Sequence, residues 1–420
     1  MSERPRLPVE RAIAHILSSV PSLPVESVPV EEALGRVLLE SIQARYTHPA
    51  WRNSAMDGYA VHSADLRGAS PEAPIRLVVA GTIAAGDAPP DSIAAGTAWR
   101  IMTGAPVPDG IDSIVRVEDT DAGQTEVMLR NDRDAGRNIR PRGEDFMEGQ
   151  QLLAAGAELY AAHIGVAAGN GCARLSVARR PRVAILSSGN ELVGIDGFPE
   201  VLAGHRILNT NGYALAAAVR EAGGVPIELG VARDDPAAIA ARITGAPPFD
   251  VLITCGGISV GAFDYTRDVV QRLGASLDFW RVRMRPGGPF GFGMLGDRPW
   301  FGLPGNPVSA LVTFEVFVRP ALRQMGGHAV IARAMREVTL AESVTTAGGL
   351  THFLRVVVND AGVASLTGPQ GSGLLTSMAA ANGLLIVPHD VSYLAAGTTA
   401  PVMLTQPGSS HTRTAVSWTY

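Results

Sequence analysis

Hydrophobic and polar positions follow three different rhythms along this chain. Between residues 183 and 326, short apolar runs alternate with stretches of helical spacing, the pattern of an α/β domain on a parallel sheet. Strands are expected over 183–186, 227–231, 251–254 and 277–282, and helices over 209–222, 237–243 and 265–273. Asn209, Thr210 and Asn211 give the first of these helices a polar start, and Gly223-Gly224 stops it. A longer helix is expected from Asn306 and Pro307, a cap followed by a first-turn proline, to Met325.

The flanks differ. A helix over 9–20 ends at Pro21 and Pro24, and a second over 28–39 is interrupted by Gly35. Residues 46–61 hold the turn formers Asn53, Ser54, Asp57 and Gly58 beside an exposed-looking Trp51 and Tyr59. Short β segments over 75–80, 98–102 and 114–117, with Gly and Pro between them, read as a small β-rich insertion. It closes on a charged turn holding Arg140, Arg142, Glu144 and Asp145. Such a turn is usually a solvated face, but an apolar helical stretch follows it, so a helix cap or a metal holder is open as well. Residues 158–178 read as an Ala- and Gly-rich helix, and 179–182 as a boundary. After 326 strands return over 353–358, 384–387 and 402–404, with a Gly/Ser-rich turn and a short helix over 369–385.

At 420 residues the chain calls for two to four domains. Net charge is −5 and no basic block stands out, which argues against nucleic acid as a partner. No run of about 18 apolar residues exists to span a membrane, and the N-terminus lacks a signal-peptide core. Two cysteines, Cys172 and Cys255, fit a reducing cytoplasm. All 35 basic residues are Arg. That excludes lysine Schiff bases, pyridoxal phosphate enzymes and Walker-type nucleotide loops. Any cation that meets an anion here is therefore an Arg, a metal or a cluster of backbone N–H groups.

The candidate chemistry gathers around residues 250–270, DVLITCGGISVGAFDYTRDVV. A buried strand delivering a Gly-rich turn to a helix presents backbone N–H groups to an anion. The glycines lack dinucleotide spacing, and the bland alternative is a tight connection whose glycines solve only backbone geometry. Ligands bind outside the carboxyl ends of parallel strands, so the turns there should converge. The convergent set is Ser188, Glu191, Asp234, Gly256, Gly257, Ser259, Asp264, Arg285, Gly287, Gly288, Gly305 and Asn306. Acidic residues beside anion-binding turns suggest a bridging divalent cation, Mg²⁺. For Cys255 a small buried hydrophobe is favoured over a reactive thiol. For Asp57 a plain turn aspartate is favoured on local grounds.

Eight motifs then stand in order along nearly the whole chain: NSAMDGYA (53–60), IMTGAP (101–106), RGED (142–145), SSGNEL (187–192), GGISVGAFDYT (256–266), RPGGPF (285–290), LPGNPVSA (303–310) and QGSGLLTSM (370–378). Together they resemble the molybdopterin molybdenumtransferases, the MoeA family, which includes the E domain of gephyrin. The resemblance implies an α/β multidomain protein. Its expected parts are a discontinuous dimerisation domain (1–45 and 142–179), a β-rich insertion (46–141), an α/β molybdopterin-binding domain (180–326) and a C-terminal β-barrel-like domain (327–420). It implies a cytoplasmic homodimer supplied by a molybdopterin adenylyltransferase, converting adenylylated molybdopterin and molybdate, with Mg²⁺, into molybdenum cofactor and AMP. By position, Asp57, Thr103, Asp145, Glu191, Asp234, Asp264 and Arg285 match its activity residues. Glu191, Asp234 and Asp264 would hold the metal. Ser188, Gly256, Gly257, Ser259, Gly287, Gly288, Pro304, Gly305, Asn306 and Ser372 would bind substrate.

One loop departs from the family pattern, which has a basic residue, Pro-Gly, a Lys and Pro. Here the basic residue is Arg285, and Gly288 stands at the Lys position. Three accounts compete. Backbone N–H groups at Gly287-Gly288 replace the lost cation, or the chain is a divergent paralogue using another oxyanion such as tungstate, or it is a non-catalytic molybdopterin-binding scaffold.

Overall fold

A computed structural model describes residues 6–257 and 265–406. The chain forms two compact units. One comprises residues 40–155 and 161–174; the other comprises the N-terminal 39 residues, 156–160 and everything from 175 on.

The first unit is built on a five-stranded sheet. Its strands are β1 (Gly58–Val61), β2 (Ile75–Ile83), β3 (Thr97–Ile101), β4 (Ser113–Arg116) and β5 (Glu126–Leu129), in the order β4-β1-β3-β2-β5. Alternate residues serve opposite faces: Tyr59 and Val61 join one core cluster, and Ala60 joins another. Tyr59 is fully buried, against the sequence expectation, and its hydroxyl donates to the Gly123 carbonyl at 2.8 Å. Trp51 is exposed as expected. After the charged turn at 142–145 comes a short strand, Gln151–Leu153, not the expected helix. Gly149 donates back to the Ala44 carbonyl, and Gln151–Leu153 pairs with Ile42–Gln43, so the segment is held in sheet geometry. The helix arrives only at Ala161–Gly169 and is shorter than expected.

The second unit begins with the N-terminal helix Val9–Ser19, which buries Val9, Ala12 and Ile16. The expected helix over 28–39 does not form. Val25–Pro29 is a strand paired with Arg174–Ala178, followed by a single 3₁₀ turn at Val30–Glu32. Long-range pairing takes the segment out of a helix: after Gly35, which has a left-handed φ of +71°, Val37 and Leu38 bridge to Glu158 and Val177.

The larger sheet holds β6 (Arg182–Ser188), β7 (Val225–Ala232), β8 (Val251–Cys255), β9 (Gly291–Leu295) and β10 (Arg298–Leu303). Their order is β7-β6-β8-β10-β9, with all neighbours parallel except the β9/β10 hairpin. Helices α1 (Thr210–Glu221), α2 (Pro236–Thr244) and α3 (Tyr265–Arg272) connect or follow the strands. Val183, Ile185, Val251 and Ile253 face one core cluster; Ala184, Leu186 and Leu252 face the other. Such two-sided burial is why these strands read as continuous apolar runs. The expected strand over 277–282 is replaced by isolated bridges, among them Phe279 with Phe292. Asp278 in that stretch turns outward to hold His15 Nε2 at 2.7 Å. The long helix to Met325 is interrupted. Helix α4 (Pro307–Thr313) passes through a five-residue π turn, Phe314–Val318, into α5 (Arg319–Met325).

The C-terminal strands close on themselves. They are β11 (Met335–Leu340), β12 (Thr351–Val358), β13 (Val363–Leu366), β14 (Gly383–Val387) and β15 (Thr399–Leu404), with the short helix α6 (Leu375–Ala380) before β14. Pairing runs β12-β13-β11-β15-β14 and returns from β14 to β12, a five-stranded barrel filled by Val338, Val356, Leu385 and Val402. Among the described residues no helix is long and apolar enough to cross a membrane.

Arg179 does more than mark a boundary. Its Nη1 and Nη2 grip Asp250 at 2.7 and 2.8 Å, and Arg182 adds its backbone N–H at 2.9 Å and its guanidinium at 3.2 Å. Burial alone would raise the Asp250 carboxyl, but these hydrogen bonds outweigh it and hold the group at about 2. A depressed carboxylate stabilises the fold above its unfolded pKa, and that contribution disappears as pH falls through the folded one. Unfolding free energy measured by urea titration should therefore lose about 2 kcal/mol between roughly pH 4 and 2, a step that Asp250→Asn removes.

Candidate active site

In chain order the parallel strands run β6, β7, β8, β10, but in space β6 lies between β7 and β8. The winding therefore reverses between β6 and β8, and the carboxyl ends of the strands at such a reversal are where open α/β sheets form their binding crevice. Ser188 ends β6, and Gly256 and Gly257 follow β8. Both glycines have left-handed φ, +88° and +64°. A Cβ on Gly256 would lie 2.6 Å from the Ser188 carbonyl oxygen, and one on Gly257 would lie 2.3 Å from Thr266 Oγ1. Ser188 Oγ and Thr266 Oγ1 are 3.2 Å apart. The β8 turn thus packs directly on the β6 terminus, with no room for side chains.

The next strand end joins it. Gly256 N donates to the Leu303 carbonyl at 3.1 Å, and Asn211 Nδ2 donates to the Gly305 carbonyl at 2.7 Å. Cys255 Sγ lies 3.2 Å from the Pro304 carbonyl oxygen. Burial pushes its thiol up to about 12, so Cys255 is an inert packing group, not a nucleophile. Asn306 stands at the N-cap of α4 but makes no capping hydrogen bond, and its side chain is exposed.

On the other side of β6, Asn190 and Asp234 clasp each other. Asn190 N donates to Asp234 Oδ2 at 3.1 Å, and Asp234 N donates to Asn190 Oδ1 at 3.2 Å. Glu191 folds back toward Gly189, where a Cβ would come within 2.8 Å of both its carboxylate oxygens. Arg206 donates to the Asn190 carbonyl. Two carboxylates on facing loops are oxygen donors of the kind Mg²⁺ accepts with its remaining waters. Among the described residues no three His, Cys, Asp or Glu side chains gather at one point. Asp264 and Ser259 lie outside the described residues.

The RPGGPF loop sits at the barrel. Met284–Arg285 pairs with the start of β12, and Arg285 is exposed. Gly287 (φ +99°) packs where a Cβ would meet Thr313 Cγ2 at 2.5 Å. Thr313 is the last residue of α4, about 10 Å along the helix from Asn306. Gly288 is different. Its φ is not left-handed, and a Cβ there would come only to 3.2 Å from the Met284 carbonyl oxygen. Backbone geometry requires glycine at 287 and does not require it at 288.

The barrel contributes a second loop. Val308 N, in the first turn of α4, donates to the Ser372 carbonyl at 3.1 Å. Beneath that loop lies Arg355, wholly buried. Its guanidinium donates to the Pro369 and Gly371 carbonyls at 3.0 and 3.1 Å and to Ser377 Oγ at 2.9 Å, while Nη1 has no acceptor. Sequence reasoning missed this residue. The available signal was a lone Arg inside the apolar strand FLRVVV.

In the other unit, Asp57 Oδ1 accepts from Thr103 N at 2.7 Å and from Thr103 Oγ1 at 2.8 Å. These bonds, backbone first, lower the Asp57 carboxyl below the usual carboxylate value, and Arg100 assists. Pairing of β1 with β3 brings the two residues together, and Gly104 N donates to the Ser54 carbonyl at 2.8 Å. Ala55 N donates to the Asn138 carbonyl, so the turn leading to Asp145 starts at the same corner. Asp145 is exposed, and its N–H donates to the His48 carbonyl at 3.1 Å.

Three family models match the chain in succession: "MoeA N-terminal region (domain I and II)" over residues 7–171, "Probable molybdopterin binding domain" over 184–324, and "MoeA C-terminal region (domain IV)" over 337–405. The molybdopterin molybdenumtransferase 2 of Mycobacterium tuberculosis is 42% identical over 379 residues, 89% of this chain and 93% of that protein. The chain belongs to the MoeA family. A Nostoc relative named molybdopterin molybdenumtransferase is 35% identical over 93% of this chain and 92% of its own length. The crystal structure of a MoeA protein from Pyrococcus horikoshii superposes with a TM-score of 0.76 at 31% identity, covering 96% of this chain and all of that one. In this MoeA chain the second family match coincides with the sheet whose carboxyl edge carries the glycine turn.

Gly257→Ala must adopt a left-handed conformation and displace Thr266. We expect it to lower unfolding free energy by about 2 kcal/mol or more in urea titration. Adding Thr266→Ala should recover only the steric part of that loss.

Proposed function

We propose that this chain is a molybdopterin molybdenumtransferase acting in molybdenum cofactor biosynthesis, with adenylylated molybdopterin and molybdate as substrates and molybdenum cofactor and AMP as products. The observation that carries the proposal is the packing of three successive parallel-strand ends, at Ser188, Gly256-Gly257 and Gly305, around the crevice at the winding reversal. Relatives named for that activity, 32–42% identical over most of the chain, favour it over a tungstate-using paralogue or a non-catalytic scaffold.

The reaction cleaves the phosphoanhydride between the pterin's phosphate and AMP: an oxygen of water or of molybdate adds to one phosphorus, and the bridging oxygen leaves with the other phosphate. No strong nucleophile is required of the protein; positioning and charge neutralisation suffice. With the Gly256 N–H already given to the Leu303 carbonyl, the Gly257 backbone and the Ser188 hydroxyl would bind and orient the phosphate. Pro304, Gly305 and Asn306 wall the next side of the crevice. Glu191 and Asp234, with Asp264, would hold Mg²⁺, which supplies neutralisation of phosphate charge. Asn190 fixes the angle of Asp234, because both are locked by reciprocal bonds. Arg285 supplies a guanidinium fork for an oxyanion, and backbone N–H groups at Gly287-Gly288 serve beside it. Arg355 holds the 369–373 loop, and with it Ser372, against α4.

A cytoplasmic homodimer belongs to the same proposal, as does a molybdopterin adenylyltransferase as the upstream donor. In the dimer Asp57, Thr103 and Asp145 serve the substrate cleft. Asp57 is exposed and costs the fold little to change.

Purified protein with Mg²⁺ should release AMP from adenylylated molybdopterin faster when molybdate is present, read by chromatography of nucleotides. Asp57→Asn should cut that turnover about a hundredfold while leaving the melting temperature unchanged. Because the Asp57 carboxyl is lowered, wild-type turnover should show no Asp57 titration between about pH 5 and 8. Tight substrate binding without AMP release would refute the transferase and support the scaffold.

A further inference from the structure

Four arginines gather at the opposite edge of the large sheet, where the strands begin. Arg36, Arg179, Arg180 and Arg182 line one open groove with Glu26 and Val225. Pro181 accepts from Val225 N, and Asp250 donates its N–H to the Arg182 carbonyl, so the groove rests on the first residues of β6, β7 and β8. From Arg182 to Ser188 the strand spans roughly 20 Å, so the groove is separate from the glycine turn.

The charges there do not balance. Asp250 is occupied by Arg179 and Arg182 together, and Glu26 by Arg36. Four guanidinium groups stand against two carboxylates, a surplus of two positive charges. Arg36 is 7% exposed; its Nη2 also donates to the Ala178 carbonyl at 2.8 Å, but its Nε has no acceptor among the described residues. Arg180 stands at the exposed rim and, among the described residues, makes one hydrogen bond, Nη2 to the Leu34 carbonyl at 3.1 Å. Desolvation and the nearby Arg36 both disfavour its charge, and Glu26 only partly compensates. A buried donor without an acceptor and a crowded surplus of cations are each unfavourable unless an anion is present.

We propose that this groove binds a compact oxyanion of the phosphate class. Two surplus charges match a phosphate dianion. Guanidinium forks match its oxygens bidentately, where a lysine would offer only a point charge.

The test is calorimetric titration of the full chain with inorganic phosphate at constant ionic strength. Saturable binding is expected for the wild type, weakened about tenfold or more in Arg180→Ala and in Arg182→Gln, and unchanged in Arg76→Ala, an exposed arginine outside both sites. Arg180 is on the rim, so its variant should fold, and an unchanged melting temperature without ligand would verify that. Glycerol 2-phosphate titrated in parallel separates the sources. Competition assigns an esterified phosphate and exclusion assigns the free ion, and both require the Arg180 dependence. Absence of saturable binding, binding undiminished in Arg180→Ala, or binding lost only in Arg285→Ala would each overturn the proposal.

Discussion

Everything at the crevice depends on how closely β8 can end beside β6. The β8 strand stops with two consecutive left-handed residues, and the Ser188 backbone and Thr266 hydroxyl occupy the space where their side chains would be. Only glycine fits twice. Because the turn is that tight, Gly256 can also reach the Leu303 carbonyl, which ties the third strand end to the first two. The apolar strands behind it, buried on both faces, keep the edge rigid. Rigidity matters for phosphoanhydride chemistry, where the protein's contribution is donors already in place.

Charge is handled differently at the two edges of the sheet. At the carboxyl edge the described acidic groups are Glu191 and Asp234, with Arg206 held on the Asn190 carbonyl, and in the proposed function anion binding there falls to backbone and hydroxyl groups, helped by Arg285. At the starting edge arginines crowd around Asp250 and Glu26. With no lysine in the chain, each cation is a planar fork that is hard to neutralise. The carboxylates that gather them become structural anchors, as the depressed Asp250 carboxyl shows. Arg355 is the extreme case: a wholly buried guanidinium whose Nε and Nη2 donate to a hydroxyl and two carbonyls while Nη1 finds no acceptor among the described residues, stiffening a loop that its own strand does not contain.

The α/β portion was legible because its strands and helices obey periodicity and its helices carry their own caps. Asn209 accepts from Gly212 N and Asp235 from Ala238 N, as local rules require. Reading failed where long-range pairing decides. The 28–39 segment looked helical because the pairing of 25–29 with 174–178 is invisible locally, and 277–282 looked like a strand although its neighbour meets it only at isolated bridges. Tyr59 looked exposed because nothing local reveals that both faces of its sheet are covered. In the candidate site, residue types at motif positions were readable. The Asn190–Asp234 clasp, the Asn211 bridge and the Arg355 platform join residues 44, 94 and more than a dozen positions apart, and only the fold brings them together.

The central claim is that the carboxyl edge of the β7-β6-β8-β10 strands receives the substrate. Hydrogen–deuterium exchange with and without saturating adenylylated molybdopterin tests it most directly. The account predicts slowed exchange in peptides covering 188–191, 234, 256–257 and 305–308. Saturable binding that leaves all four peptides unprotected would contradict it.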